Sequence, residues 1–235
     1  MKKQENKKVL GLLNTYADMP LRARPSSYSG SLIVLEGMDG AGKSTLAEKL
    51  REKMEQSGAT VRVVRTPGGT DIGEKLRDIL LTHTGDDIDI TTEAFLFQAQ
   101  LSACIQQVII PSLTRGDVVI CDRLVLSTFA YQGAGRGFPL DILWNMQEVS
   151  LEGVWPDIIF LLKNKPKTET DGTRMEEAGP EFTERVATYY DNLLDTNEMA
   201  SEWIIPILVD EDPDNTIEDM VRKTGAKLIT KKVER

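Results

Sequence analysis

Gly37-Met38-Asp39-Gly40-Ala41-Gly42-Lys43-Ser44-Thr45 fits the pattern G-x-x-x-x-G-K-[ST], a phosphate-binding P-loop. Glycine lets the backbone turn so tightly that successive N–H groups face one concavity. That concavity opens onto a helix N-terminus, where unpaired donors and the helix macrodipole favour an anion. In such a loop Lys43 reaches the β- and γ-phosphates and the Ser44 hydroxyl takes a place beside Mg²⁺. The flanks agree. Ser31-Leu32-Ile33-Val34-Leu35 reads as a buried strand, and residues 43–57 carry helix formers up to Gly58. Strand, loop and helix in that order is the context the motif requires, and a Gly-rich turn matching by accident would have no need of it.

The same rhythm continues along the chain. Strand-like runs recur at Thr60 to Arg65, Asp117 to Asp122, Asp157 to Leu162 and Trp203 to Val209. Helical patterns lie between them, at 43–57, about 71–81, 91–114, 125–132, 139–151, 181–198 and 215–228. Most of the strands are dense in Val and Ile without alternation, which predicts burial on both faces. Together these patterns predict an α/β fold: a three-layer P-loop domain with a five-stranded parallel sheet flanked by helices, over residues 30–235. Ligands in such folds sit beyond the carboxyl ends of the strands. Residues 1–29 end in Pro25-Ser26-Ser27-Tyr28-Ser29-Gly30 and read as a polar arm. Lys163 to Gly179 is polar, follows a strand end, and reads as a lid.

Composition narrows the partners. The chain has 235 residues, with 28 Lys plus Arg against 37 Asp plus Glu, for a net charge of −9. An acidic chain without a basic stripe weighs against a nucleic-acid partner and favours small phosphorylated molecules held in a local cationic pocket. No run of eighteen apolar residues is present, so no membrane span is expected, and Val9 to Leu13 is too short for a signal peptide. Cys104 and Cys121 lie in apolar surroundings and read as reduced, buried thiols of a cytoplasmic protein. One histidine, His83, and no C-x-x-C leave zinc without ligands.

A second cluster falls at the neighbouring strand ends. Arg65-Thr66-Pro67-Gly68-Gly69-Thr70 is a turn whose backbone can approach a ligand closely, and Cys121-Asp122-Arg123 ends the next strand. An Asp beside a P-loop can organise Mg²⁺, and an Arg can clamp a phosphate bidentately. Read blandly, Asp122 and Arg123 would be a surface ion pair.

Glu36-Gly37-Met38-Asp39-Gly40-Ala41-Gly42-Lys43-Ser44-Thr45, then Pro67-Gly68-Gly69-Thr70, Asp122-Arg123 and Ser127-Thr128-Phe129-Ala130-Tyr131-Gln132-Gly133, resemble the thymidylate kinase family in order and spacing. The resemblance runs from about residue 31 to the C-terminus. It implies transfer of the γ-phosphoryl of ATP, with Mg²⁺, to a deoxynucleoside 5′-monophosphate. It places the nucleotide on Gly37, Asp39, Gly40, Ala41, Gly42, Lys43, Ser44 and Thr45, and the metal near Ser44 and Asp122. Arg123 would hold the acceptor phosphate with Arg77 and Pro67 close by. Phe97 would stack on the base, Thr128 and Gln132 would contact its edge, and Tyr131 would crowd the sugar 2′ position. Asp39 would lie near the acceptor sugar, and Arg174 would supply a lid cation, with Lys163, Lys165 and Lys167 as weaker candidates. A homodimer through 91–114 and 125–151 is also implied, although Phe95, Ile105, Val108 and Ile109 could equally be intrachain core.

The pattern breaks around the base. Leu101 stands where the family usually has an Arg that reads the thymine O4, and Leu cannot donate a hydrogen bond. Thr66 replaces a usual Glu, Leu124 an aromatic or His, and Lys163 an Asp; the lid is short. These changes predict a retained reaction with a relaxed or shifted base: thymidylate, a 5-substituted deoxyuridylate, or several deoxynucleoside monophosphates. The alternatives are a P-loop kinase for another small acceptor or a DNA base, and a nucleotide-binding protein without turnover.

Overall fold

The structure, a computed structural model, describes residues 28–82, 87–163, 175–195 and 204–233. Five strands form one parallel sheet: β1 (Ser31–Glu36), β2 (Val61–Arg65), β3 (Val118–Asp122), β4 (Ile158–Lys163) and β5 (Ile204–Leu208), in the order β2-β3-β1-β4-β5. Each agrees with its expected run to within one or two residues; Trp203 lies outside the described residues.

Alternate side chains of each central strand enter two separate cores. Leu32, Val34, Val119, Cys121, Ile159 and Leu161 pack on one side, and Ile33, Leu35, Ile120, Ile158 and Phe160 on the other. Their continuous apolar runs follow from this double burial. The edges differ from expectation. Arg62 and Arg65 of β2 and Pro206 and Leu208 of β5 are exposed, because an edge strand is covered less completely and an edge tolerates a proline that cannot donate to a ladder.

Helices cover both faces. α1 (Lys43–Gln56) packs beside the C-terminal helix α7 (Pro213–Val233) on one side. The other side carries α3 (Ile90–Arg115), α5 (Leu140–Leu151) and α6 (Pro180–Asp195), while α2 (Asp71–Leu81) leans on α3. α4 begins as Val125–Thr128 and continues as a π-helical stretch over Phe129–Gly135. A second π-helical stretch, Ile105–Ile109, interrupts α3 just ahead of Pro111, whose ring nitrogen cannot donate to the preceding turn. Among the described helices, α3 is long and apolar enough to cross a membrane by length and composition. Here it lies in the domain, with Leu101, Cys104, Ile105, Ile109 and Leu113 buried in the core.

Strand order positions the site. From β1 the chain moves through β2 to β3 on one side, then crosses to β4 and β5 on the other. The loops after β1 and β3 therefore leave the sheet side by side, with Leu35 opposite Asp122, at the point where ligands enter such sheets.

Candidate active site

The loop after β1 has the backbone that its glycines predict. Gly37, Gly40 and Gly42 all have positive φ, and a Cβ on Gly37 would lie 2.8 Å from the Leu162 carbonyl oxygen. α1 then starts at Lys43 with no side chain capping it and no acidic residue in its first turn, so its N-terminal dipole is free to face an anion. Ala41 is buried beneath the loop, whereas Ser44 and Thr45 are exposed. The Lys43 side chain is buried over the loop and donates to the carbonyls of Met38 at 2.7 Å and Gly37 at 3.3 Å. Burial, reinforced by the neighbouring Arg123 charge, lowers Lys43 to about 8. The Ser44 hydroxyl donates to Asp122 Oδ2 at 2.6 Å and ties the end of β3 to the start of α1. This hydroxyl and carboxylate are hard oxygen donors of the kind Mg²⁺ takes. No cluster of three or more Cys, His, Asp or Glu occurs among the described residues, so a divalent ion there would draw its other ligands from phosphates and water.

Arg123 builds the facing wall. It sits at φ 66°, in the left-handed region that a residue with a Cβ adopts only when its surroundings hold it there. Its guanidinium donates to the Gly37 carbonyl at 3.0 Å, to Ser127 Oγ at 3.0 Å and to the Tyr131 hydroxyl at 3.1 Å, and it pairs with Asp39. Tyr131 in turn donates to Asp39 Oδ2 at 2.6 Å. Burial alone would raise the Asp39 carboxyl; Arg123 and Lys43, with these two hydrogen bonds, outweigh it and hold Asp39 below the usual range. Asp122 is engaged by Ser44 and Arg123 by Asp39, so the two sequence neighbours act on different partners instead of forming a surface pair.

Two groups to which the sequence assigned no role hold this wall in place. Glu36, fully buried, accepts backbone N–H bonds from Leu124, Leu126 and Ser127 at 2.9, 3.0 and 3.1 Å, and hydroxyl bonds from Ser127 at 2.6 Å and Tyr190 at 3.2 Å. Thr66 donates its hydroxyl to the Arg123 carbonyl at 2.8 Å and its N–H to the Asp122 carbonyl at 3.0 Å. Thr66 thus supports the Arg123 backbone. Leu124, beside Arg123 in the chain, is core.

The crevice between the walls is lined by Asp39, Thr66, Pro67, Arg77, Leu81, Phe97, Gln100, Leu101, Arg123, Leu124, Ser127, Thr128, Tyr131, Gln132 and Met175. All the acceptor-side residues expected from sequence (Pro67, Arg77, Phe97, Leu101, Arg123, Thr128, Tyr131 and Gln132) are in that lining. Arg77 donates to the Pro67 carbonyl at 2.8 Å; burial, then Arg65, lowers its affinity for its proton. Phe97 is half-buried against the crevice while Phe95 points out, 60% exposed, so neither is a core aromatic. Ile105 and Ile109 are intrachain core. Gln100 was not read from sequence: it accepts from Gly68 N at 3.2 Å and donates to the Phe97 carbonyl at 3.0 Å, joining the Pro-Gly-Gly turn to α3. Lys163 is exposed at the end of β4, and Arg174, Lys165, Lys167 and His83 lie outside the described residues.

A P-loop on one wall, a second guanidinium cradle on the other and a 2-3-1-4-5 parallel-type layout beneath them (β2-β3-β1-β4-β5) define a phosphotransferase of the nucleoside monophosphate kinase class. Residues 35–215 match the family model for thymidylate kinase. The chain belongs to the thymidylate kinase family. It is 38% identical over 169 residues to the thymidylate kinase of Pelotomaculum thermopropionicum, covering 68% of this chain and 78% of that one. The enzyme of Chlorobaculum parvum is 35% identical over 197 residues, 77% of this chain and 90% of that one. Among solved structures, the thymidylate kinase from Ehrlichia chaffeensis superposes with a TM-score of 0.66 at 27% identity, covering 82% of this chain and 97% of that one.

Proposed function

We propose that this chain transfers the γ-phosphoryl group of ATP, with Mg²⁺, to the 5′-phosphate of thymidylate or a 5-substituted deoxyuridylate. One observation carries the reading: Lys43 and Arg123, 80 residues apart in sequence numbering, both donate to the carbonyl of Gly37. The two cations meet at one carbonyl, and Arg123 and the P-loop residue Asp39 both line the crevice.

In this reading the backbone of 37–45 and Lys43 grip the donor phosphates, and Arg123 with Arg77 grips the acceptor phosphate. Ser44 and Asp122 would hold Mg²⁺, which would supply neutralisation of charge on the donor phosphates. An oxygen of the acceptor phosphate attacks the γ-phosphorus, the bond from that phosphorus to the β–γ bridging oxygen breaks, and ADP leaves. No base is required because the attacking oxygen is already anionic. Alignment and fixed positive charge supply the acceleration. Tyr131, held against Asp39 and Arg123, fills the space a 2′-hydroxyl would need, which favours deoxyribose. Residues 163–179 serve as the lid, with Arg174 its cation. Phe95, Ile142 and Val149, exposed on the mutually packed α3 and α5, support a homodimer that sedimentation at micromolar concentration would decide. Cys104 and Cys121, both free and buried, suit a cytoplasmic protein.

The base side is where this member differs. Leu101 is only 2% exposed and offers no donor, so an O4-directed contact at that position is absent from the chemistry available there. A coupled assay with a panel of monophosphates tests the reading, with Leu101→Arg beside the wild type. We expect wild-type turnover of thymidylate together with other 5-substituted deoxyuridylates. Leu101→Arg should raise the preference for acceptors with a 4-keto group by roughly 5- to 100-fold, the span of one directed hydrogen bond. Wild-type turnover of thymidylate alone, or no change of preference in Leu101→Arg, sinks the altered-pocket account. Turnover on DNA and on no free nucleotide would instead favour a kinase acting on a DNA base.

A further inference from the structure

We propose that Glu93 decides which pyrimidine class enters this pocket, by locking the Gln132 amide with its carbonyl toward the base. The inference rests on the reading that a base lies in the crevice beside Phe97. Glu93 is 1% exposed and Gln132 2% exposed, so neither is set by solvent. Glu93 Oε1 accepts from Gln132 Nε2 at 3.0 Å and from Arg136 Nε at 3.3 Å, and Glu93 Oε2 pairs with Arg136 at 3.2 Å. A carboxylate paired with a guanidinium is an acceptor only. The end of the Gln132 amide that meets it must therefore be the –NH₂ end. Oxygen and nitrogen diverge from the same carbon, so the carbonyl is turned away from Glu93. Gln132 also lines the crevice, with Phe97 and Thr128.

A fixed carbonyl selects for a ring N–H. Thymine and uracil carry one at N3, whatever group stands at C5. Cytosine carries a lone pair at N3, which would face the carbonyl oxygen unpaired. Leu101 cannot compensate on the neighbouring edge. The relaxation expected from Leu101 thus extends along the 5-substituents of deoxyuridylate and stops at deoxycytidylate. Glu93 acts here as a positioning residue: it touches Gln132 and Arg136, and reaches the base through Gln132.

The sharpest comparison is thymidylate against 5-methyl-deoxycytidylate, which share the methyl group and differ in the 4-substituent and the N3 proton. We expect the wild type to favour thymidylate in kcat/KM by at least roughly tenfold. Glu93→Gln presents a donor as well as an acceptor, allows the Gln132 amide to turn, and should bring that ratio down toward one. Gln132→Met, which has no amide, should lower the ratio in the same way. Glu93→Asp, still an acceptor only, should keep the ratio even where total turnover falls. A purely structural role for Glu93 predicts equal losses on both acceptors; an unchanged ratio in Glu93→Gln or Gln132→Met overturns the inference, as does a wild type that accepts both equally. If the wild type neither phosphorylates nor binds any monophosphate by calorimetry, the functional reading fails and takes this inference with it.

Discussion

The two ends of the crevice are built in opposite ways. At the phosphate end the polar groups are cross-linked: Arg123 reaches Gly37, Asp39, Ser127 and Tyr131, Glu36 gathers three N–H groups and two hydroxyls, and Asp122 holds Ser44. At the base end the walls are Phe97, Leu101, Leu81 and Met175, and the polar contacts reduce to Gln100, Thr128 and the pair formed by Gln132 and Glu93. A cross-linked ionic network cannot lose a member without leaving a partner buried and unpaired, whereas an apolar wall tolerates exchange at modest cost. On the proposed function, reaction type and acceptor choice are thereby separated in space.

That contrast breaks most readily at Arg123. Arg123→Ala leaves Asp39 and Tyr131 without the guanidinium they meet and, on the proposed function, removes the acceptor-phosphate cradle. Since a single electrostatic donor aimed at developing charge is worth about 10²–10³ in kcat, and this residue is also proposed to bind the acceptor, kcat/KM for the monophosphate should fall by at least roughly 10³. The KM for ATP should move far less. Steady-state kinetics with each substrate varied in turn checks this, and a loss confined to ATP would show that the two cradles do not divide the substrates as proposed.

Glu36 tests whether the phosphate end is a scaffold as well as a site. Glu36→Gln keeps the size but turns an –NH₂ toward groups that donate. With hydrogen bonds to a charged group worth about 1.5–3 kcal/mol each in net stability, and with partial rescue by the amide oxygen, we expect a loss of about 2–4 kcal/mol in urea unfolding. Because Leu124, Leu126 and Ser127 hang from this carboxylate, Arg123 should lose its left-handed setting and kcat should fall too. Unchanged stability would mean that the network is not cooperative.

Much of the molecule can be read before folding, and what cannot has a common cause. The five strands and the P-loop are local: a run of apolar residues or a short motif determines each. Both cradles announce themselves at strand ends. The partners do not. Glu36 meets Ser127 and Tyr190, 91 and 154 residues away, and Glu93 meets Gln132 across 39. A faint signal existed at Glu93, a carboxylate one helical turn before Phe97 on the stripe that continues through Gln100, Leu101 and Cys104, where an unpaired charge would be costly. The π-helical stretches leave no periodic mark, since one displaced hydrogen bond shifts the register without changing which residues are apolar. The exposure of the edge strands is not legible either, because composition alone does not tell a central strand from its neighbour at the rim.

Lys43 gives the finest probe of the phosphate end. Its pKa of about 8 in the free protein lies below the ordinary 10.5, chiefly through burial and then through Arg123. The unfolded chain therefore binds more protons than the folded one between these two values, so this group's contribution makes stability rise with pH there and leaves the cost of its burial undiminished below about 8. Binding runs the other way. The proposed grip of Lys43 on the donor phosphates needs the protonated amine, so kcat/KM for ATP, which reports the free enzyme, should fall above pH ~8 by up to tenfold per unit. In the bound state the donor phosphates favour the ammonium, so kcat should stay flat over the same interval. Neighbouring groups do not compete for this limb: Tyr131 is pushed up by burial, Asp39 is held low, and Cys104 is pushed to about 12. Lys43→Arg should abolish the alkaline limb, at whatever activity survives, because a guanidinium keeps its charge throughout. An alkaline limb that persists unchanged in Lys43→Arg would place the titrating group elsewhere and dissolve the electrostatic link between Lys43 and Arg123 on which the phosphate end depends.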